Sequence, residues 1–138
     1  MIQRLSHVTI YVLNQQEALE FYRDKLGFKV HTDVTMEHGF RWLTVTAPGA
    51  PDLEIMLMEP KESPMMDAAT ASTVRDLVQR GALGAGVFDT ADCRKTYEEL
   101  KGKGVEFVSP PTEEFYGVQA IIKDNSGNVF SMTQPKPM

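Results

Sequence analysis

Residues 7–28 read HVTIYVLNQQEALEFYRDKLGF, and this stretch decides the fold. HVTIYV alternates as a strand does, with Val8, Ile10 and Val12 on one face and His7, Thr9 and Tyr11 on the other. Asn14 then offers a helix N-cap, with Glu17 three residues on as a capping box. Leu19, Tyr22 and Leu26 fall on one helical stripe beside Ala18 and Phe21. Gly27 stops the helix, and Phe28, Val30 and Thr32 begin a new strand. Residues 40–48 (FRWLTVTAP) and 52–59 (DLEIMLME) follow as two more strands across a Pro/Gly turn. The order is strand, helix, three strands.

The same order returns in the second half. Residues 85–90 (AGVFDT) read as a strand, and Asp92 caps a helix carrying Tyr97 and Leu100 that ends at Gly102 and Gly104. VEFVS (105–109), GVQAIIKD (117–124) and NVFSMTQ (128–134) are three further strands, the last preceded by the turn DNSGN. Leu19 matches Tyr97 and Tyr22 matches Leu100 at an offset of 78, whereas Gly27 matches Gly104 at 77. The second helix is therefore one residue tighter. Side-chain identity between the halves is low, so the repeat rests on pattern.

These elements predict a single α+β domain over 1–138. It holds two βαβββ modules, at about 1–59 and 85–138, joined by a linker of about 60–84. The expected architecture is a curved mixed sheet enclosing a cup, with the helices on the outer face. The linker opens with the breaker PKESP, and residues 71–81 look helical, with Val74, Leu77 and Val78 on one face and Gly81 as the stop. A helix packed over an edge is the expectation, with a lid or dimer contact as the alternative. A net charge of -5 with scattered Lys and Arg argues against a nucleic-acid partner. No run reaches the ~20 apolar residues of a membrane helix, and no signal peptide is visible. Cys93 is the single cysteine, which excludes an internal disulfide and suits a cytoplasmic location.

FYRDKLGF in the first half and GNVFSMTQ in the second, within HVTIYV…ALEFYRDKLGF and YEELKGKGVEF…DNSGN…FSMTQ, resemble the paired modules of the vicinal oxygen chelate family. That family includes glyoxalase I, bleomycin-resistance proteins and extradiol dioxygenases. The resemblance implies that metal-dependent members draw ligands from the first and last strands of each module. On this chain those places are His7 and Glu54 in the first module, and Ala85 and Ser131 in the second. His7 and Glu54 suit a metal; Ala85 cannot bind one, and Ser131 is a poor ligand. Two ligands fall short of the three that a catalytic divalent site usually takes. His38, Glu113 or Glu114 could supply a third. Otherwise His7 and Glu54 pair with each other across the cup, and His31 and His38 lie at the surface.

Alternation assigns further residues to the cup: Phe40, Trp42 and Thr44, then Met56 and Met58, then Gln119, Ile121, Ser131 and Thr133, with Tyr116 at its mouth. Trp and Met suit a flat or irregular organic ligand and are equally what any core uses. No P-loop, dinucleotide fingerprint, CxxC or serine elbow is present. The leading expectation is a small-molecule-binding protein that sequesters an organic ligand, with no cofactor or a weakly bound Zn, Ni or Fe ion. The alternative is a metal-dependent lyase or dioxygenase with an incomplete metal site and Glu54 as its catalytic carboxylate. A third reading is a structural dimer module with a vestigial cup. A homodimer is expected, since family modules commonly pair across chains.

Overall fold

A computed structural model of the chain describes residues 1–137. Its strands are β1 (His7–Tyr11), β2 (Lys29–Thr35), β3 (Arg41–Ala47), β4 (Ala50–Met58), β5 (Gly84–Asp89), β6 (Phe107–Glu114), β7 (Gly117–Lys123) and β8 (Val129–Pro135). Its helices are α1 (Gln15–Glu20), α2 (Ala68–Gln79) and α3 (Cys93–Gly102). The strands form two four-stranded sheets, ordered β1-β4-β3-β2 and β5-β8-β7-β6. In each, the first strand runs parallel to the last and the other neighbours are antiparallel. The class is α+β and the repeat is real at the level of topology. Contacts divide the chain into two compact units, Met1–Asp76 and Leu77–Met138, the boundary falling within α2.

Each module packs its helix on one face of its sheet. In the first, Ile10, Leu43, Val45, Ile55 and Leu57 are buried together with Ala18, Leu19, Phe21 and Tyr22 of the helix. In the second, Val118, Ala120, Ile122, Phe130 and Met132 are buried, as are Cys93 and Leu100 of α3. Burying one such side chain contributes roughly 1.5–3 kcal/mol, so these faces hold the modules together. Asn14 caps α1 by accepting from the Glu17 amide at 2.9 Å. Asp92 caps α3 by accepting from the Lys95 amide at 3.1 Å. Gly27 and Gly104 close the two helices with φ of 76° and 85°.

The one-residue difference between the helices has a structural basis. α1 continues into a π-helical turn, Phe21–Lys25, where Leu26 N bonds back to Phe21 O. A π turn absorbs one extra residue inside a helix, while α3 is regular throughout. α2 starts at Ala68, earlier than the residue 71 expected from apolar spacing, because Asp67 caps it by accepting from the Thr70 amide at 2.7 Å. β6 runs beyond the expected 105–109 and through Pro110 and Pro111. The register against β7 shifts there, and an edge strand tolerates the missing amide hydrogens. In the DNSGN turn, Asp124 Oδ1 accepts from the amides of Ser126, Gly127 and Asn128. Gly127 is required: its φ is 116°, and a Cβ would lie 2.2 Å from the Val78 carbonyl oxygen.

Candidate functional site

The site is built on the face of the first sheet that α1 does not cover. Parallel pairing of β1 and β4 sets His7 opposite Glu54, and Thr9 and Tyr11 opposite Met56 and Met58. Antiparallel pairing of β3 and β4 sets Thr44 opposite Met56. Trp42 lies two residues along β3 and so shares this face. His7 Nε2 stands 2.9 Å from Glu54 Oε2, as the sequence register requires. Trp42 lies beside this histidine, with ring centroids 6.3 Å apart. Phe40 precedes β3, and its ring centroid is also 6.3 Å from that of Trp42.

His31 lies at the surface as expected, with half of its side chain exposed; what the sequence reading did not foresee is that its Nδ1 lies 2.9 Å from Glu54 Oε1. The cause is a β-bulge in β2: Val30 pairs with Val45 and Thr32 with Thr44, leaving His31 as the extra residue. Strict alternation would put His31 and Thr32 on opposite faces. The bulge turns both to the same one, where His31 Nδ1 and Thr32 Oγ1 are 2.9 Å apart. No signal in the sequence marks this bulge, which carries neither Gly nor Pro.

Glu54 is thus an anion held by three donors. His7 and His31 address its two oxygens, and the Thr44 hydroxyl donates to Oε1 at 2.9 Å. Its side chain keeps 17% of its exposure, whereas those of His7 and His31 keep 37% and 50%. Ser6 Oγ lies 2.9 Å from His7 Nδ1, fixing that ring from its far side. Charge-assisted hydrogen bonds of this kind outweigh neutral ones and fix the carboxylate in place. Placed between these three groups, Glu54 is suited to orienting its neighbours. Elsewhere in this module Arg41 forms a bidentate pair with Asp33, both contacts 2.8 Å. The guanidinium holds the Asp33 carboxyl below its usual range.

The second module repeats the scaffold without the chemistry. Ser131 lies opposite Ile121 of β7, and Gln119 opposite Thr133. The Ser131 hydroxyl donates to Gln119 Oε1 at 2.6 Å and lies 3.0 Å from Thr133 Oγ1. On β5 the residue opposite Ser131 is Val87, where the sequence offset had put Ala85. A register shift between Gly84 and Gly86 accounts for one residue of this two-residue difference. Neither residue has a ligating atom. Tyr116 sits in the β6–β7 turn, its ring edge-on to Phe115 at 5.0 Å. Glu113 lies 4.0 Å from Arg94, while His38 occupies a short turn with φ of 68° and makes no contact with Glu54 among the described residues. Cys93 is buried, and burial pushes its thiol up.

The glyoxalase/bleomycin resistance protein/dioxygenase superfamily profile matches residues 4–132. The chain belongs to this superfamily. It is 37% identical over 126 residues to the uncharacterized protein YurT of Bacillus subtilis strain 168, covering 91% of this chain and 94% of that one. The crystal structure of UcmS2 matches with a TM-score of 0.88 and 43% identity, over 96% and 98% of the two chains. TnmS3, described as an antibiotic binding protein from Streptomyces sp. CB03234, matches with a TM-score of 0.75 and 28% identity, over 98% of each.

Members of this superfamily commonly bind divalent metals, which requires donors that converge on one point. The second module places Val87 and Ser131 where ligands would stand. Within the first, the two imidazoles each bond to a different oxygen of Glu54 instead of converging with it. Among the described residues no group of three or more His, Cys, Asp or Glu side chains is arranged to hold a metal ion. The superfamily's metal arrangement does not fit these residues. No helix of the described chain is long and apolar enough to cross a membrane.

Proposed function

We propose that this protein binds and sequesters an organic small molecule on the open face of its modules, without needing a metal. The observation that carries this reading is the cluster of Glu54 with His7, His31 and Thr44, next to Trp42. Such a cluster supplies directional polar contacts beside a flat aromatic surface, which is the usual composition of a small-molecule site. Phe40, Met56 and Met58 extend the apolar part of the first-module surface, and Gln119, Ser131 and Tyr116 are the polar contacts assigned to the second. Likeness to an antibiotic binding protein supports a ligand of that general kind. The protein is proposed to act in the cytoplasm, as a homodimer.

The test is a ligand screen by thermal shift on protein treated with chelator, with elemental analysis of untreated protein alongside. A flat organic ligand at ~100 times its Kd stabilises the fold by about 2.7 kcal/mol, and the chelated protein should show this in full. Zn, Ni or Fe salts should add almost nothing, since two or three donors already bonded to each other leave the ion mostly hydrated. One equivalent of metal surviving dialysis, with a raised Tm, would overturn this reading in favour of a metal-dependent lyase or dioxygenase. Sedimentation of a monomer at micromolar concentration would remove the dimer.

A further inference from the structure

We propose that His31 selects the ligand, and that it selects for an acidic hydroxyl, of the phenol or enol class, on a flat aromatic body. The proposal rests on the small-molecule reading above and goes further by naming the residue that discriminates and the group it reads.

The argument starts from Glu54. An ionised carboxylate only accepts hydrogen bonds, so the tautomer that suits His31 Nδ1, which stands 2.9 Å from both Glu54 Oε1 and the Thr32 hydroxyl, is the one with its proton on Nδ1. In an uncharged imidazole the other nitrogen is then a lone-pair acceptor. Nε2 of His31 has no hydrogen-bond partner among the described residues, and half of the side chain is exposed. Glu54 cannot swing away to release this tautomer, because His7 holds Oε2 and Thr44 also holds Oε1. In that tautomer the site presents an acceptor, backed by the Glu54 carboxylate, on a half-exposed side chain.

A ligand atom that meets such an acceptor must donate. Imidazole bonds best to an acidic O–H, and any transfer is balanced. The ligand O–H bond breaks, an Nε2–H bond forms, and the ligand oxyanion faces an imidazolium whose second N–H stays on Glu54. An ether in the same place has no proton to offer and leaves Nε2 unsatisfied. Trp42 stands on the same face of the sheet. It is two positions along β3 from Thr44, whose partner on β2 is Thr32, the residue after His31. The aromatic body of the ligand has a flat partner within the same surface.

The experiment uses isothermal titration calorimetry with 2-naphthol and 2-methoxynaphthalene as probes, on the intact chain and on His31→Ala and His31→Gln. The intact protein should prefer the naphthol by about tenfold. His31→Ala should weaken the naphthol far more than the methoxy probe and so bring the two affinities together. His31→Gln, which retains an acceptor oxygen, should recover part of the preference. Equal binding of both probes by the intact protein overturns the assignment of His31 while leaving the small-molecule reading intact. Failure of both probes to bind overturns the flat-aromatic ligand class itself. A ligand-free check is long-range nitrogen NMR of the histidine ring. A proton on Nδ1 alone is expected, and a ring protonated at Nε2 overturns the proposal without any substitution.

Discussion

The two modules differ on one face and agree on the other. On the helix-covered side both bury an alternating apolar set under a capped helix, and a left-handed glycine ends each helix. On the open side the first module pairs Thr44 with Glu54 through a hydroxyl that donates to a carboxylate. The second sets Gln119 and Ser131 on the corresponding strands, and there the hydroxyl donates the other way, from the last strand. The first strand opposes Glu54 with His7 but opposes Ser131 with Val87. Topology thus needs only one face of each sheet, which leaves the other free to carry a His–Glu pair in one copy and neutral hydroxyl and amide groups at the matching positions of its counterpart.

The shared face can be broken first, and with the largest effect. Leu57 in the first module and Ile122 in the second are both almost fully buried. Leu57→Ala and Ile122→Ala should each cost about 2–5 kcal/mol of stability, measured by urea unfolding. Comparable losses would show that the two cores matter alike. A loss confined to one would mean that the other module is held by something besides its core.

The open faces should respond unequally. Glu54→Ala strips the acceptor from His7, His31 and Thr44 together, at a cost of about 1–3 kcal/mol, with loss of ligand binding. Ser131→Ala removes a neutral hydroxyl bond and should cost about 0.5–1.5 kcal/mol, with a small effect on affinity. Urea unfolding and calorimetric titration of the two variants read these effects. Equal effects on binding would erase the functional contrast between the modules.

The agreement between the modules was legible in the chain, and part of the difference was too. Caps such as Asn14 and Asp92, stops such as Gly27 and Gly104, and strict alternation in HVTIYV are local signals, and they specified topology and the His7–Glu54 register. Even the π turn left a trace, in offsets of 78 before the helix ends and 77 at the glycines. Two bulges left none that was read. One, at His31, carries no special residue and brings a third partner to Glu54. The other, between Gly84 and Gly86, sets Val87 instead of Gly86 opposite Ser131. A one-residue slip reverses every later side chain in a strand, so such irregularities hide the residues that matter most to a site.

The smallest expected contrast is in acid sensitivity, and it follows from where the well-made ion pairs lie. Asp33 and Arg41 form a bidentate pair in the first module, both contacts at 2.8 Å. The pairs of the second module are looser, Lys123 with Glu106 at 3.6 Å and Arg94 with Glu113 at 4.0 Å. Hydrogen bonding to Arg41 lowers the Asp33 pKa in the folded protein. A group with a depressed folded pKa binds fewer protons folded than unfolded. Its contribution is therefore complete above the ordinary aspartate pKa of about 3.9 and is lost as pH falls through the lower folded value. The pair is partly exposed, so solvent screening limits it to about 0.5–1 kcal/mol. Hydrogen exchange of the β2–β3 amides at about pH 6 and about pH 3 reads it out directly. Protection there should fall more steeply with acid than protection in β7–β8, and Asp33→Asn should flatten the difference. If the β2–β3 amides of the Asp33→Asn variant keep the same acid slope, the sensitivity lies elsewhere.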